Sequence, residues 1–253
     1  MRTDVTRYAA PAPVESPLTA ALVADTHGED PSVWLRLVDE ARPDLILVPG
    51  DVTNRHSAEP ESVGELFDAL TSRAPVFMSL GNHERMSAGR VREEAARTGV
   101  RLLEEEWTDF RGLKIGGLTS GYVNEPGPVR QGHFRQTPEP DLGFAAEFAS
   151  LSGYRLLLCH HPEYYPAYLK NLGFDLILSG HAHGGQWRIF GMPVFAPGQA
   201  FFPKYAQGLC DGRLIVSRGL ANNAPVPRFG NARELIFIDF IPAAGPDGGI
   251  RRV

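Results

Sequence analysis

The hydrophobic positions of this chain gather into short solid runs, and most of those runs end in a knot of polar residues. Leu18–Ala24, Leu45–Val48, Val76–Leu80, Tyr154–Cys159 and Leu176–Ser179 are nearly continuous apolar stretches. Runs of this length, rich in branched side chains, predict strands buried on both faces. Between the first three runs the spacing changes to that of a helix. Trp34, Leu37, Val38 and Ala41 fall at i, i+3, i+4 and i+7, after Asp30 as cap and Pro31 at the first helical position, and the segment stops before Pro43. Val63, Leu66, Phe67 and Leu70 repeat the spacing, and Ser87 caps a weaker helix reaching Thr98. Strand alternating with helix implies parallel strands joined by crossovers. Farther on, Val100–Glu104 and Leu113–Leu118 read as strands about a turn near Arg111–Gly112, and Asp141–Leu151 as a helix with Phe144, Phe148 and Leu151 inward. Trp187–Phe190, Arg213–Ser217 and Glu234–Phe240 read as short β segments. Gly121–Pro140, heavy in Gly and Pro, reads as a loop suited to a lid or substrate wall. Residues 1–17 are expected as a surface arm, 18–241 as one domain and 242–253 as a flexible tail.

Composition changes this picture little. The 253 residues are 43% hydrophobic and 22% charged, ordinary for a globular protein with a substantial core. A net charge of −5 gives no basic footprint for nucleic acid or anionic membrane. Two cysteines, Cys159 and Cys210, are too few for a disulfide framework and fit a reducing compartment. The N-terminal stretch has no signal-peptide core, and no run of about 18 apolar residues occurs anywhere. A cytoplasmic protein with no membrane segment and no obligate protein partner is expected.

The chemistry collects at the strand ends. Five runs finish on groups of metal-ligand type: Asp25 and His27, Asp51, Asn82, His160, then His181 and His183. In open α/β sheets ligands bind just beyond the carboxyl ends of strands. If the chain stays extended, His181 and His183 point the same way, with glycines leaving room around them. Carboxylate, imidazole and amide together suit manganese, iron or zinc, whereas an all-oxygen set would suit magnesium or calcium. Seven ligands exceed one tetrahedral site and match two ions sharing a carboxylate.

Asp25-x-His27, Gly50-Asp51, Gly81-Asn82-His83-Glu84, His160 and Gly180-His181-x-His183 together resemble the calcineurin-like metallophosphoesterases over Leu18–Gln186. Gly184-Gly185-Gln186, Ala196-Pro197-Gly198-Gln199, Lys204-Tyr205 and Ser217-Arg218-Gly219 look like the bacterial branch that includes the YkuE and YaeI phosphodiesterases. The resemblance implies an α/β fold, a four-layer αββα sandwich of two mixed β-sheets flanked by helices. It implies two divalent metal ions, manganese foremost, with iron, zinc or nickel as alternatives. One ion would take Asp25, His27 and His183, the other Asn82, His160 and His181, and Asp51 would bridge them. The implied activity is hydrolysis of phosphate esters, diesters first, by in-line attack of a metal-bridging hydroxide on a small phosphorylated substrate. Asp51 and His83 would be catalytic, with His83 protonating the leaving oxygen or stabilising the transferred phosphoryl. Asn82, Arg55 and Arg218 would bind substrate.

The position three after the bridging aspartate is Asn54, where the protein-phosphatase branch has an aspartate that orients the catalytic histidine. An amide oxygen can accept the imidazole proton but adds no charge. Arg218 could hold a phosphate or pair with a carboxylate. His161 adjoins a ligand on an extended chain and is expected to point away, His56 and His133 to be solvated, Cys159 to be core, and Glu84 to buttress the Asn82–His83 turn. Rival functions are a pyrophosphatase cutting a nucleotide-linked lipid of the UDP-diacylglucosamine type, a phosphomonoesterase, and a scaffold that kept the fold without the chemistry. A scaffold should have lost ligands or the histidine, yet all seven ligands and His83 are present.

Overall fold

The chain begins with a strand where a surface arm was expected. In the computed structural model, which describes residues 2–54, 62–124, 137–222, 227–243 and 248–253, β1 (Thr3–Ala12) lies inside a sheet. It pairs along its whole length, in parallel, with the last long strand, from Thr3 opposite Arg233 to Ala12 opposite Pro242. Thr6, Tyr8, Ala10 and Ala12 alternate inward and are buried. The period of two was present, but small alanines and Pro11 hid it. Pro11 is tolerated because the strand on the outer side, at Arg251–Arg252, pairs only with Tyr8 and Ala9. That short pairing also corrects the expectation of a wholly loose tail.

The alternating pattern follows as expected: β2 (Leu18–Leu22), α1 (Ser32–Ala41), β3 (Leu45–Val48), α2 (Ser62–Thr71), β4 (Val76–Met78), α3 (Ala88–Thr98) and β5 (Arg101–Leu102). Helix α1 ends on Arg42 in the left-handed conformation, its N–H returned to the Val38 carbonyl, one residue ahead of Pro43. Then come β6 (Glu106–Phe110), β7 (Leu113–Leu118), a single turn α4 (Gly121–Asn124) at the start of the expected loop, α5 (Leu142–Ser150), β8 (Tyr154–Cys159) and β9 (Leu176–Ser179). Two small hairpins are built from β10 (Arg188–Ile189) with β11 (Met192–Pro193) and β12 (Phe195–Ala196) with β13 (Ala200–Phe201). The chain closes with β14 (Gly208–Cys210), β15 (Leu214–Val216), β16 (Arg233–Pro242) and β17 (Arg251–Arg252).

Two mixed sheets result. One runs β17-β1-β16-β2-β3-β4-β5 and the other β14-β15-β9-β8-β7-β6. Each solid apolar run serves two cores at once. Ala20, Leu22, Leu45 and Leu47 meet Ile115, Leu156, Leu158 and Leu178 between the sheets. Their neighbours Ala21, Val23, Ile46 and Val48 face Trp34, Val38, Phe67 and Leu70 of the helices outside the first sheet. Leu157, Cys159 and Ile177 face Phe148, Tyr165 and Phe174 outside the second. Both faces being buried is why the runs are solid and not alternating. Among the described residues no helix is long and apolar enough to cross a membrane.

Candidate metal centre

Strands β2, β3 and β4 are parallel neighbours in one sheet, and β7, β8, β9 and β15 in the other. Their carboxyl ends meet. The Asp25 carboxylate after β2 accepts the backbone N–H of His181 after β9 at 3.0 Å. His160 Nε2 after β8 lies 3.1 Å from Asp51 Oδ2 after β3. Asp51 Oδ1 in turn accepts the backbone N–H of His83 after β4 at 2.9 Å.

Among the described residues ligand-type atoms form four overlapping groups, each within 4.8 Å: Asp25 with His27 and His183, Asp51 with His160 and His181, His27 with Asp51 and His83, and His161 with Glu163 and His181; the first two adjoin and match the two expected ligand sets. Asn82 is buried beside them, and its backbone N–H also bonds Asp51. Asp25 Oδ2 and His160 Nδ1 are buried and take no hydrogen bond among the described residues. Buried polar atoms of this kind need a partner, and lone pairs converging from carboxylates and imidazoles are what a divalent cation satisfies. The residues therefore fit a metal, and the mixed oxygen and nitrogen set is of the kind that manganese, iron or zinc accept.

The backbone holds these groups in costly conformations. Asp25, His27, Asp51, His181 and His183 all have φ between 46° and 63°. Non-glycine residues rarely occupy this region, at about 1–3 kcal/mol each, and where they do so they cluster at functional sites. This overturns the extended-chain reading of His181-Ala182-His183. Ala182 is helical (φ −75°, ψ −14°) between two left-handed residues. The two imidazoles consequently join different groups. His161, after β8, also lies in this cluster, its ring centroid 4.3 Å from that of His181. Gly81 and Gly180 make room, since a methyl on either would collide with the carboxylates of Asp51 and Asp25 respectively.

Glu84 is the brace expected of it, and reaches farther. Its carboxylate accepts the backbone N–H groups of Asp51 at 2.8 Å, Gly81 at 2.8 Å and Thr53 at 3.0 Å, tying the ends of β3 and β4 together. Burial, with Asp51 adding to it, raises its pKa. Burial is also the largest influence on the ligand-type groups. It lifts Asp25 to about 7 and Asp51 to about 8, and lowers His27 to about 3 and His160 to about 4. Without a cation, these carboxylates resist ionising and these imidazoles resist charging.

Other expectations fare unevenly. Arg218 takes the carboxylate alternative, with Nη2 3.2 Å from Asp4 and Nε 3.3 Å from Glu234. Arg55, His56 and His133 lie outside the described residues. Cys159 is a buried free thiol in the core, as expected. His161 does not point away. It is buried, bonded through Nε2 to Ser120 Oγ at 2.7 Å, with Nδ1 3.3 Å from Glu163. Two further residues were not singled out. Glu163 sits between His161 and His181. Burial raises it, but the two imidazoles outweigh burial and hold it at about 2. Arg228 is buried and donates to His183 Nδ1 at 2.8 Å. A buried-cation signal at Arg228 is absent from the sequence, because the residue stands in a polar stretch without periodicity. Glu163 stood only three residues past His160.

Residues 18–185 match the calcineurin-like phosphoesterases, and the chain belongs to that family of hydrolases. It is 27% identical over 208 residues to an uncharacterised metallophosphoesterase of Campylobacter jejuni, which covers 78% of this chain and 50% of that one. It is 24% identical over 207 residues to one of Aquifex aeolicus, covering 80% and 75%. With phosphodiesterase YaeI of Escherichia coli it shares 29% over 172 residues, covering 62% and 56%. The chain spans about half the length of the Campylobacter and Escherichia relatives.

Proposed function

We propose that the protein is a two-metal phosphoesterase that hydrolyses phosphodiesters. The observation that carries this reading is the pair of adjoining ligand groups with Asp51 at their junction, its Oδ2 toward His160 and its Oδ1 toward the His83 turn. Asp25, His27 and His183 would hold one ion, Asn82, His160 and His181 the other, and Asp51 both. Bound there, divalent cations supply the Lewis acidity that activates water near neutral pH and neutralises phosphoryl oxygens. The chain's own residues do the rest. Asp25 and Asp51 are fixed by backbone N–H groups, so the site is preorganised before substrate arrives. His83, with Nε2 3.7 Å from Asp51 Oδ2 and its ring 4.5 Å from that of His27, borders both groups and donates a proton to the leaving oxygen. Preference for diesters draws support from the likeness to a protein named as a phosphodiesterase.

One observation favours a second reading, cleavage of a lipid-linked pyrophosphate. Directly after His183, the two hairpins expose Trp187, Ile189, Phe190, Met192, Phe201 and Phe202. An apolar surface beside a phosphoesterase site suits a substrate with a greasy portion. A manganese-reconstituted screen over aryl monoesters, aryl and alkyl diesters and lipid-linked pyrophosphates tests both. Diester turnover well above the others supports the first reading, and hydrolysis confined to the lipid-linked pyrophosphate replaces it by the second. No hydrolysis of any phosphate ester by the fully metallated protein removes both.

A further inference from the structure

The two ligand groups have neighbours of opposite charge. Beside Asp25, His27 and His183 stands Arg228, whose guanidinium donates to the Arg218 carbonyl at 2.6 Å, the Ala221 carbonyl at 2.5 Å and His183 Nδ1 at 2.8 Å. Beside Asp51, His160 and His181 stands Glu163, with Oε1 3.7 Å from His181 Nε2 and 3.3 Å from His161 Nδ1, held by Thr137 Oγ1 at 2.6 Å.

Hydrogen bonding decides which nitrogen of each ring is free. A guanidinium only donates, so His183 Nδ1 must accept and a neutral ring carries its hydrogen on Nε2. That Nε2 lies 3.2 Å from His27 Nε2, while His27 Nδ1 lies 3.1 Å from the Thr53 carbonyl. One direction satisfies every contact: Arg228 donates to His183, His183 to His27, and His27 to Thr53. His27 is thereby oriented as a ligating histidine should be, its second nitrogen bonded to a carbonyl and its lone pair facing its group. His183 is oriented the other way, with an N–H where a cation would need a lone pair. A cation entering this group must displace that arrangement and sit near a buried positive charge. A cation entering the other group meets the Glu163 carboxylate, 3.7 Å from His181 Nε2, in place of a buried guanidinium.

We propose that Arg228 and Glu163 are positioning residues that make the two cation positions unequal, so that the Asp51–His160–His181 position fills first and the Asp25–His27–His183 position remains the weaker. This rests on the two-metal reading above and goes beyond it by assigning an order of loading. The weaker position is the one whose occupancy then follows the supply of metal.

The test is calorimetric titration of the metal-free full chain with Mn²⁺, with bound metal counted independently by elemental analysis. Two events are expected, separated by about 10–100-fold, the usual weight of groups that orient metal ligands. Arg228→Met should tighten the weaker event by about tenfold and leave the tighter one in place, whereas Arg228→Lys, which keeps the charge, should leave both where they are. Glu163→Gln should loosen the tighter event by about 10–100-fold. In the metal-free wild type, nitrogen-15 spectra should show His183 Nδ1 as the acceptor and Nε2 as the protonated nitrogen. A single class of equal sites in the wild type overturns the proposal. So does a folded Arg228→Met protein whose weaker event has not moved. If Arg228→Met fails to fold, the wild-type titration and Glu163→Gln still decide. A wild type that binds no divalent ion fails the two-metal reading itself, an outcome distinct from two equal sites.

Discussion

Asp25, Asp51 and His160 are each 1% exposed or less, whereas Phe190, a few residues beyond His183, is 98% exposed. The ligand cradle and the hairpins that follow it are continuous in sequence and opposite in construction. In the cradle, side chains are fixed by buried hydrogen bonds that cross from one strand end to another, and five ligand-type residues are held in left-handed backbone. In the hairpins, Phe190 and Phe202 also have positive φ, at 50° and 54°, but there the conformation turns their side chains outward from strands only two residues long. Backbone strain thus serves two ends. At the strand ends it converges donors, and in the hairpins, at the tip of one and just past the end of the other, it displays apolar surface. The first is sensitive to every neighbour, while the second can change without disturbing the first.

The sharpest way to break this contrast is through the group at the centre of the cradle. Asp51→Ala should abolish turnover and reduce bound Mn²⁺ from two per chain to one or fewer, read by elemental analysis beside an activity assay. Retention of both ions would show that Asp51 does not join the two groups. The metal should also stabilise the wild type, because ions bind the folded cradle and not the scattered ligands of the unfolded chain. At free Mn²⁺ of 100 times Kd the gain is about 2.7 kcal/mol, visible as a higher Tm that returns to its starting value with a chelator.

His83 comes next. His83→Ala should keep its metal and lose about 10²–10⁴-fold in turnover on an alkyl diester, the range for a general acid. An aryl diester with a good leaving group barely needs a proton and should lose less. Equal losses would move His83 from the leaving oxygen to the transferred phosphoryl, and loss of metal would move it into the ligand set.

The cradle was legible in sequence because it is written in residue types that apolar strands otherwise lack. Asp25, Asp51, His160 and His181 each follow a solid apolar run, so run and ligand announce each other. The same runs gave parallel strands alternating with helices, while the pairing of two sheets into a sandwich came only from the family resemblance. What escaped was whatever depends on conformation within three or four residues. His161 was placed wrongly because the segment after β8 does not stay extended, and the different destinations of His181 and His183 came from the family resemblance and not from the extended-chain reading. Strand β1 escaped because Ala10 and Ala12 fill inward positions without much hydrophobic signal. Arg228 escaped because its role comes from burial, and nothing local marks an arginine as buried.

A smaller effect is expected at the brace. Glu84→Ala leaves the N–H groups of Asp51, Gly81 and Thr53 without their acceptor in a buried place. Each orphaned donor costs about 1–3 kcal/mol, less whatever water recovers by entering the gap. Urea unfolding of the metal-free variant should therefore show a loss of stability together with weaker metal binding, since the same N–H groups set the position of Asp51. A change within about 0.5 kcal/mol, the scale of an ordinary surface substitution, would mean that the strand ends are held by the sheets and not by Glu84.

The smallest effect should fall on the hairpins. Phe190 contributes almost no buried surface, so Phe190→Ser removes little of the transfer free energy that stabilises the fold, and the change in unfolding free energy should stay within about 0.5 kcal/mol. Metal content and turnover of a small water-soluble diester should be unchanged, because no ligand-type group depends on the hairpin tip. Only a substrate with an apolar portion should notice the substitution, through a higher KM with kcat preserved, the signature of binding that is equal in ground and transition states. If Phe190→Ser instead slowed the small diester by tenfold, cradle and hairpin would be coupled, and the independence inferred from their opposite construction would fail.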